Sequence, residues 1–371
     1  MNRREFMFGS VSAAVAADTI TAMRAESKAE QDAKRAKLAA LKELGPTITD
    51  FELRRKKVIP GRRAAFFIDD VLFVFRDLAA AKPKSCWEHP FLAHLKEAWE
   101  RYGVKTQLNL FYRGDFFYGV KEALFSLKDV PDVWKDEFQS AKDWLRFGFH
   151  SLNEYPDYPW ISASYEDVAL TWKLIKGEVE RFAGDGMWAR AVVPHWGSMS
   201  REGCVALRDC GAKFVSVSRG SRWEYNDRTL LPYGHGYRIE NHRKPESAIF
   251  WRGAGGDDIS VSASGYNHLD ADIVAKTKGS YSWIHDRATG VNFKPSTSGG
   301  PLLNIYNLKD IAPMFDRVGE IEYFCYATHE QYFFRDYFMY QPDYAAKTFA
   351  AGKWMQDHGY SFIFMEDSID A

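Results

Sequence analysis

From Val58 onward the chain alternates two hydrophobic patterns. Continuous apolar runs at Ala64–Asp70, Val104–Tyr112, Trp144–His150, Ala189–Pro194, Lys213–Ser218, Ile321–Thr328 and Tyr360–Met365 predict strands buried on both faces of a parallel sheet. Between them, Glu88–Tyr102, Pro131–Asp143, Tyr165–Phe182, Ser200–Cys210 and Asp343–His358 carry apolar residues at helical spacing, with a Ser cap at Ser164 and Gly103 and Gly211 as stops. This is the signature of an α/β fold. No Gly-x-Gly-x-x-Gly or P-loop follows a strand, so a barrel is favoured over an open nucleotide-binding sheet. Residues 219–310 break the alternation with Gly, Asn, Asp and Pro between short apolar runs, and are read as an insertion of hairpins and loops.

The strand ends are where this pattern becomes chemical. The first run closes on Asp69 and Asp70 before resuming as Val71–Phe75. Two Asp there can simply stop a strand and cap the next element, or can supply metal ligands and a base. The third strand ends at His150, with Glu154 four residues on and able to share a face with it if the chain turns helically. His195 comes after the fourth strand, His329-Glu330 after the sixth, and Glu366-Asp367 after the last. A buried charge or imidazole needs a partner, and a cluster at one mouth would provide it. Arg113 comes after the second strand, and Trp160 and Trp196 lie near these ends; they are candidate substrate-binding residues, with rigid loop packing as the alternative for the tryptophans. His235, His242 and His268 are read as surface-loop histidines.

Composition adds limits. A net charge of −1 gives no basic field for nucleic acid or anionic lipid. Aromatics at 16% suit either a sugar-stacking cleft or ordinary core packing. Four scattered cysteines, without C-x-x-C spacing, indicate neither a zinc ribbon nor a redox pair. Met1-Asn-Arg-Arg-Glu-Phe-Met7, ahead of an uncharged Ala/Ser-rich stretch, resembles a twin-arginine export signal over 1–25, implying the export machinery as a partner and a periplasmic or extracellular location. Residues 26–60 are expected to form a helical connector, and 61–371 the main domain.

The ordered set Phe67-Ile-Asp-Asp70, His150-Ser151-x-x-Glu154, Val193-Pro194-His195-Trp196-Gly197 and Ala327-Thr328-His329 resembles the motifs of the polysaccharide deacetylases, metal-dependent carbohydrate esterases with a distorted (β/α)7 barrel. The resemblance covers 62–218 and 320–367. It implies Asp69 as general base, Asp70 and His150 as ligands of a divalent ion, His329 as general acid, and an acylated saccharide as substrate. Departures are Glu154 in place of a second ligand His, Val192 in place of an Arg, and Ala327 in place of a Leu. With Glu154 as ligand, zinc is expected, with manganese, iron or cobalt competing; His195 is an extra imidazole beside the fourth strand, able to replace a missing ligand or to donate to the substrate. Two other readings stay open: a glycoside hydrolase drawing on Asp69, Asp70, Glu154, Glu330 and Glu366, or a non-catalytic carbohydrate-binding protein.

Overall fold

A computed structural model describes residues 28–44, 48–57, 60–114, 125–154, 159–160, 163–217, 266–267, 269–298, 301–337 and 339–370. The chain divides into two units, Met1–Gly45 and Pro46–Ala371. In the first, Lys28–Lys42 is helical, and the expected export signal over 1–25 lies outside the described residues. Among the described residues no helix is long and apolar enough to cross a membrane.

The second unit contains the strands β1 (Phe51–Arg55), β2 (Arg62–Val71), β3 (Thr106–Phe111), β4 (Arg113–Gly114), β5 (Phe125–Ser126), β6 (Leu145–Ser151), β7 (Ala191–Val192), β8 (Phe214–Val217), β9 (Ser282–Asp286), β10 (Asn292–Pro295), β11 (Tyr323–His329) and β12 (Tyr360–Phe362). One sheet runs β11-β2-β3-β6, all parallel, with β12 on the first residues of β2. The other runs β1-β9-β10-β8-β7; β10, β8 and β7 are parallel, while β9 and β1 add antiparallel strands at one side. The sheets are bonded at both sides. Phe147 of β6 pairs with Trp188, just ahead of β7, and Ala327 of β11 pairs with Leu302, a few residues after β10. A helix follows or precedes most parallel strands, as the apolar spacing predicts, and the Ser164 hydroxyl accepts from Asp167 N–H at the start of Tyr165–Phe182.

Three expectations change. The run Val71–Phe75 does not resume a strand: helix Phe73–Ala81 begins there, because the Glu330 carboxylate accepts from the N–H groups of Leu72, Phe73 and Val74 at 2.7, 2.7 and 2.9 Å and so caps it. Residues 26–60 are not wholly a helical connector, since β1 pairs with β9. The expected insertion of hairpins and loops over 219–310 does contain a hairpin, but one that joins the sheet. Much of it lies outside the described residues, but Ser282–Pro295 forms a hairpin whose second strand, β10, joins β8 in parallel.

Period-two alternation then determines what faces the interior. Ala65 and Phe67 of β2, Ala191 and Val193 around β7, and Tyr323, Cys325 and Ala327 of β11 pack into one buried apolar cluster. The next residue on each row is Asp69, His195 and His329 respectively, so three distant segments deliver a polar group from the same face. On the opposite face of β2 and β11, Phe66 stacks on Tyr326 with ring centroids 4.7 Å apart.

Candidate functional site

Two register irregularities re-aim the key side chains. The β2–β3 ladder slips between Ile68 and Val71, and the β3–β6 ladder slips between Leu110 and Phe111, whose partners are Phe149 and Ser151. Asp69 and Asp70 occupy the first irregularity, and His150 the second. A bulge beside a site bends the strand and turns a side chain out of the alternation. Asp70 reaches its position at φ 62° and Trp196, next to His195, at φ 60°. Among the described residues only one other non-glycine, Lys82, has positive φ, so two of three such positions lie at this site.

Asp70, His150 and His195 converge there, all buried. Asp70 Oδ1 is 2.9 Å from His150 Nε2 and 3.1 Å from His195 Nδ1, and the two ring nitrogens are 3.1 Å apart. The far nitrogen of each ring is committed: His150 Nδ1 donates to Val193 O at 2.7 Å and His195 Nε2 to Glu154 O at 2.9 Å. A carbonyl only accepts, so those nitrogens carry the protons of the neutral rings. The lone pairs of the other two nitrogens then face each other and a carboxylate oxygen. Three acceptors at this separation repel unless a cation lies among them, either a proton on one ring or a metal ion. The set fits an ion: tetrahedral ligands about 2.0–2.1 Å from zinc are about 3.3 Å apart, slightly wider than the present triangle. Ring nitrogens anchored through their far side to backbone carbonyls are the usual outer support of such ligands.

The charge balance is uneven. Burial disfavours the imidazolium at His150, but the Asp69 and Asp70 carboxylates outweigh it and raise its pKa. At His195 burial prevails and lowers the pKa. Burial likewise raises Asp69 to about 7. Its Oδ1 accepts from Asn109 Nδ2 at 2.7 Å and lies 3.6 Å from His150 Nδ1. His329 sits opposite Asp69 in the β11–β2 register, its Nδ1 3.1 Å from Asn304 Oδ1, and burial lowers its pKa to about 4.

The remaining candidates take other places. Glu154 is not in the donor group: its carboxylate Oε1 is 4.0 Å from His195 Nε2, on the ring edge turned away from Asp70, and Oε2 accepts from Gln331. After His150 the backbone continues as strand through Ser151 and bends, so the helical turn that would align positions 150 and 154 does not form. Of the two roles open to His195, substrate contact and replacement of a missing ligand, its position matches the second: it takes Glu154's place in the donor set. Trp160 is 4% exposed, packs on Phe149 and donates its indole N–H to His150 O; this is a supporting core residue and not a sugar platform. Trp196 is half-buried with its ring 5.8 Å from that of His195. Arg113 donates from Nε to Asn153 Oδ1, one residue from Glu154. His235, His242 and His268 lie outside the described residues. Sequence reasoning missed Gln107 and Asn109, although polar residues at alternate positions of an apolar strand were the available signal.

No family model and no curated protein matches this chain. Among solved structures it is similar to the 4-alpha-glucanotransferase from Thermococcus litoralis, at 12% identity and a TM-score of 0.42, over 84% of this chain and 40% of that one. The chain thus spans two-fifths of that enzyme's length.

Proposed function

We propose that this chain is a metal-dependent hydrolase that removes an acyl group from a saccharide, built on a distorted (β/α)7 barrel. The parallel strands β2, β3, β6, β7, β8, β10 and β11, with bonds between the sheets at both sides, support the barrel. The observation that carries the activity is the convergence of Asp70 Oδ1, His150 Nε2 and His195 Nδ1. One carboxylate and two neutral imidazoles favour zinc over harder ions.

A divalent ion held by these three residues supplies Lewis acidity toward water and an acyl carbonyl. The chain's own groups do the rest. Asp69, raised to about 7, is matched to accept a proton near neutral pH. His329 is neutral, with Nδ1 turned to Asn304, so Nε2 is the atom that can take a proton and return it to the leaving group. Trp196 provides a partly exposed ring beside the donors for a sugar face. The saccharide rests on the resemblance to the deacetylase motifs, and export on the resemblance of Met1–Met7 to a twin-arginine signal.

The test is purified protein assayed for acyl release from acetylated saccharides, before and after chelation and zinc restoration. Loss and recovery support the reading; acyl release indifferent to chelation overturns it. One observation favours a second reading, glycoside hydrolysis: a carboxyl raised to about 7 is also what a glycosidase's acid requires. New reducing ends that persist after chelation would select it.

A further inference from the structure

Two buried amides stand beside Asp69 on strand β3. Gln107 and Asn109 are both 0% exposed, on the same face of β3. We propose that they are a positioning pair: they hold the Asp69 carboxylate by Oδ1 and leave Oδ2 as the oxygen offered to the reacting molecule. This rests on the reading of Asp69 as the base.

The direction of the chain of bonds is set by its far end. Gln107 Nε2 donates to Ala191 O at 2.9 Å, and that carbonyl cannot donate back. The same Nε2 donates to Asn109 Oδ1 at 2.7 Å. Asn109 must therefore turn its Nδ2 toward Asp69, where it donates to Oδ1 at 2.7 Å. One backbone carbonyl of β7 thus determines which way both amides face and which carboxylate oxygen is tied. The strand across β3 makes room for this. A Cβ on Gly148 would lie 2.7 Å from Asn109 Oδ1 and 2.9 Å from Gln107 Nε2, and Gly148 is not at positive φ, so it is space that requires glycine here. Apolar residues of like shape would fill the same space but would take these donors away from Ala191 O and from Asp69 Oδ1. What apolar residues cannot do is fix the rotation of a carboxylate.

The experiment compares wild type with Asn109→Ala, Gly148→Ala and the double variant. Zinc binding is measured by calorimetry, and kcat and KM are measured on an acetylated saccharide. Each single variant should bind zinc and keep KM within about threefold, while kcat falls about 100-fold, the scale of a misplaced catalytic group. Gly148→Ala should cost nothing further in the Asn109→Ala background. An unchanged kcat, or a kcat that falls only in step with zinc binding, overturns the proposal. Absence of zinc binding or turnover in wild type instead removes the hydrolase reading. The pairing is then decided by chemical denaturation: Asn109→Ala and Asp69→Ala should shift the unfolding midpoint non-additively, and additive shifts overturn it.

Discussion

Asp70 and Glu330 are both buried carboxylates at the ends of neighbouring strands, yet their surroundings give them opposite work. Glu330 accepts three backbone N–H groups at the start of a helix; burial raises its pKa and those donors only partly offset the rise, leaving it at about 8. Its neighbours are donors whose satisfaction is complete without any ligand. Asp70 meets two imidazole nitrogens whose protons lie on their far sides. Burial therefore does not mark a functional acid; a set of acceptors facing one another does.

Substitutions should separate the two regions. The largest effect is expected from Asp70→Ala, His150→Ala or His195→Ala, each weakening zinc by more than about 100-fold in calorimetry, beyond what loss of an outer partner does. Glu330→Ala should leave zinc affinity within a few-fold and instead lower stability by about 3 kcal/mol or more in urea unfolding, since three buried N–H groups lose their acceptor. Glu154→Ala should change zinc affinity by no more than about tenfold, because the carbonyl that orients His195 is retained. A loss equal to that of His195→Ala would return Glu154 to the donor set.

The smallest effect concerns pH and a third buried group. His94, stacked on Phe333, has its pKa lowered by burial to about 3, against 6.5 when unfolded. The unfolded chain then binds a proton that the folded one does not, so this contribution is full above pH 6.5 and is lost as pH falls toward 3. His94→Phe should make the acid limb of the stability curve shallower without moving zinc affinity. An unchanged limb would show that His94 is not neutral in the fold.

Much of the site was legible because strand alternation and strand ends are local. Apolar rows that finish on Asp69, His195 and His329 can be traced along the sequence, and so can His150. What was illegible depended on local geometry or on pairing. Spacing of four suggests that Glu154 joins His150, but that spacing means proximity only in a helix, and the chain there leaves a strand at Ser151 and bends. Whether His195 binds beside His150 is decided by the neighbouring order of β6 and β7, which no local pattern encodes. Gln107, Asn109 and Gly148 acquire meaning only once β3 lies beside β6. Residue type leaves Trp160 open between a sugar face and rigid packing; its burial and its indole N–H bond to His150 O match packing.

The most direct test is the zinc stoichiometry of purified, metal-reconstituted protein by elemental analysis, for wild type beside His195→Ala and Glu154→Ala. The account predicts one ion per chain in wild type and Glu154→Ala and none in His195→Ala. No ion in wild type, or an ion lost with Glu154 and kept without His195, would contradict it.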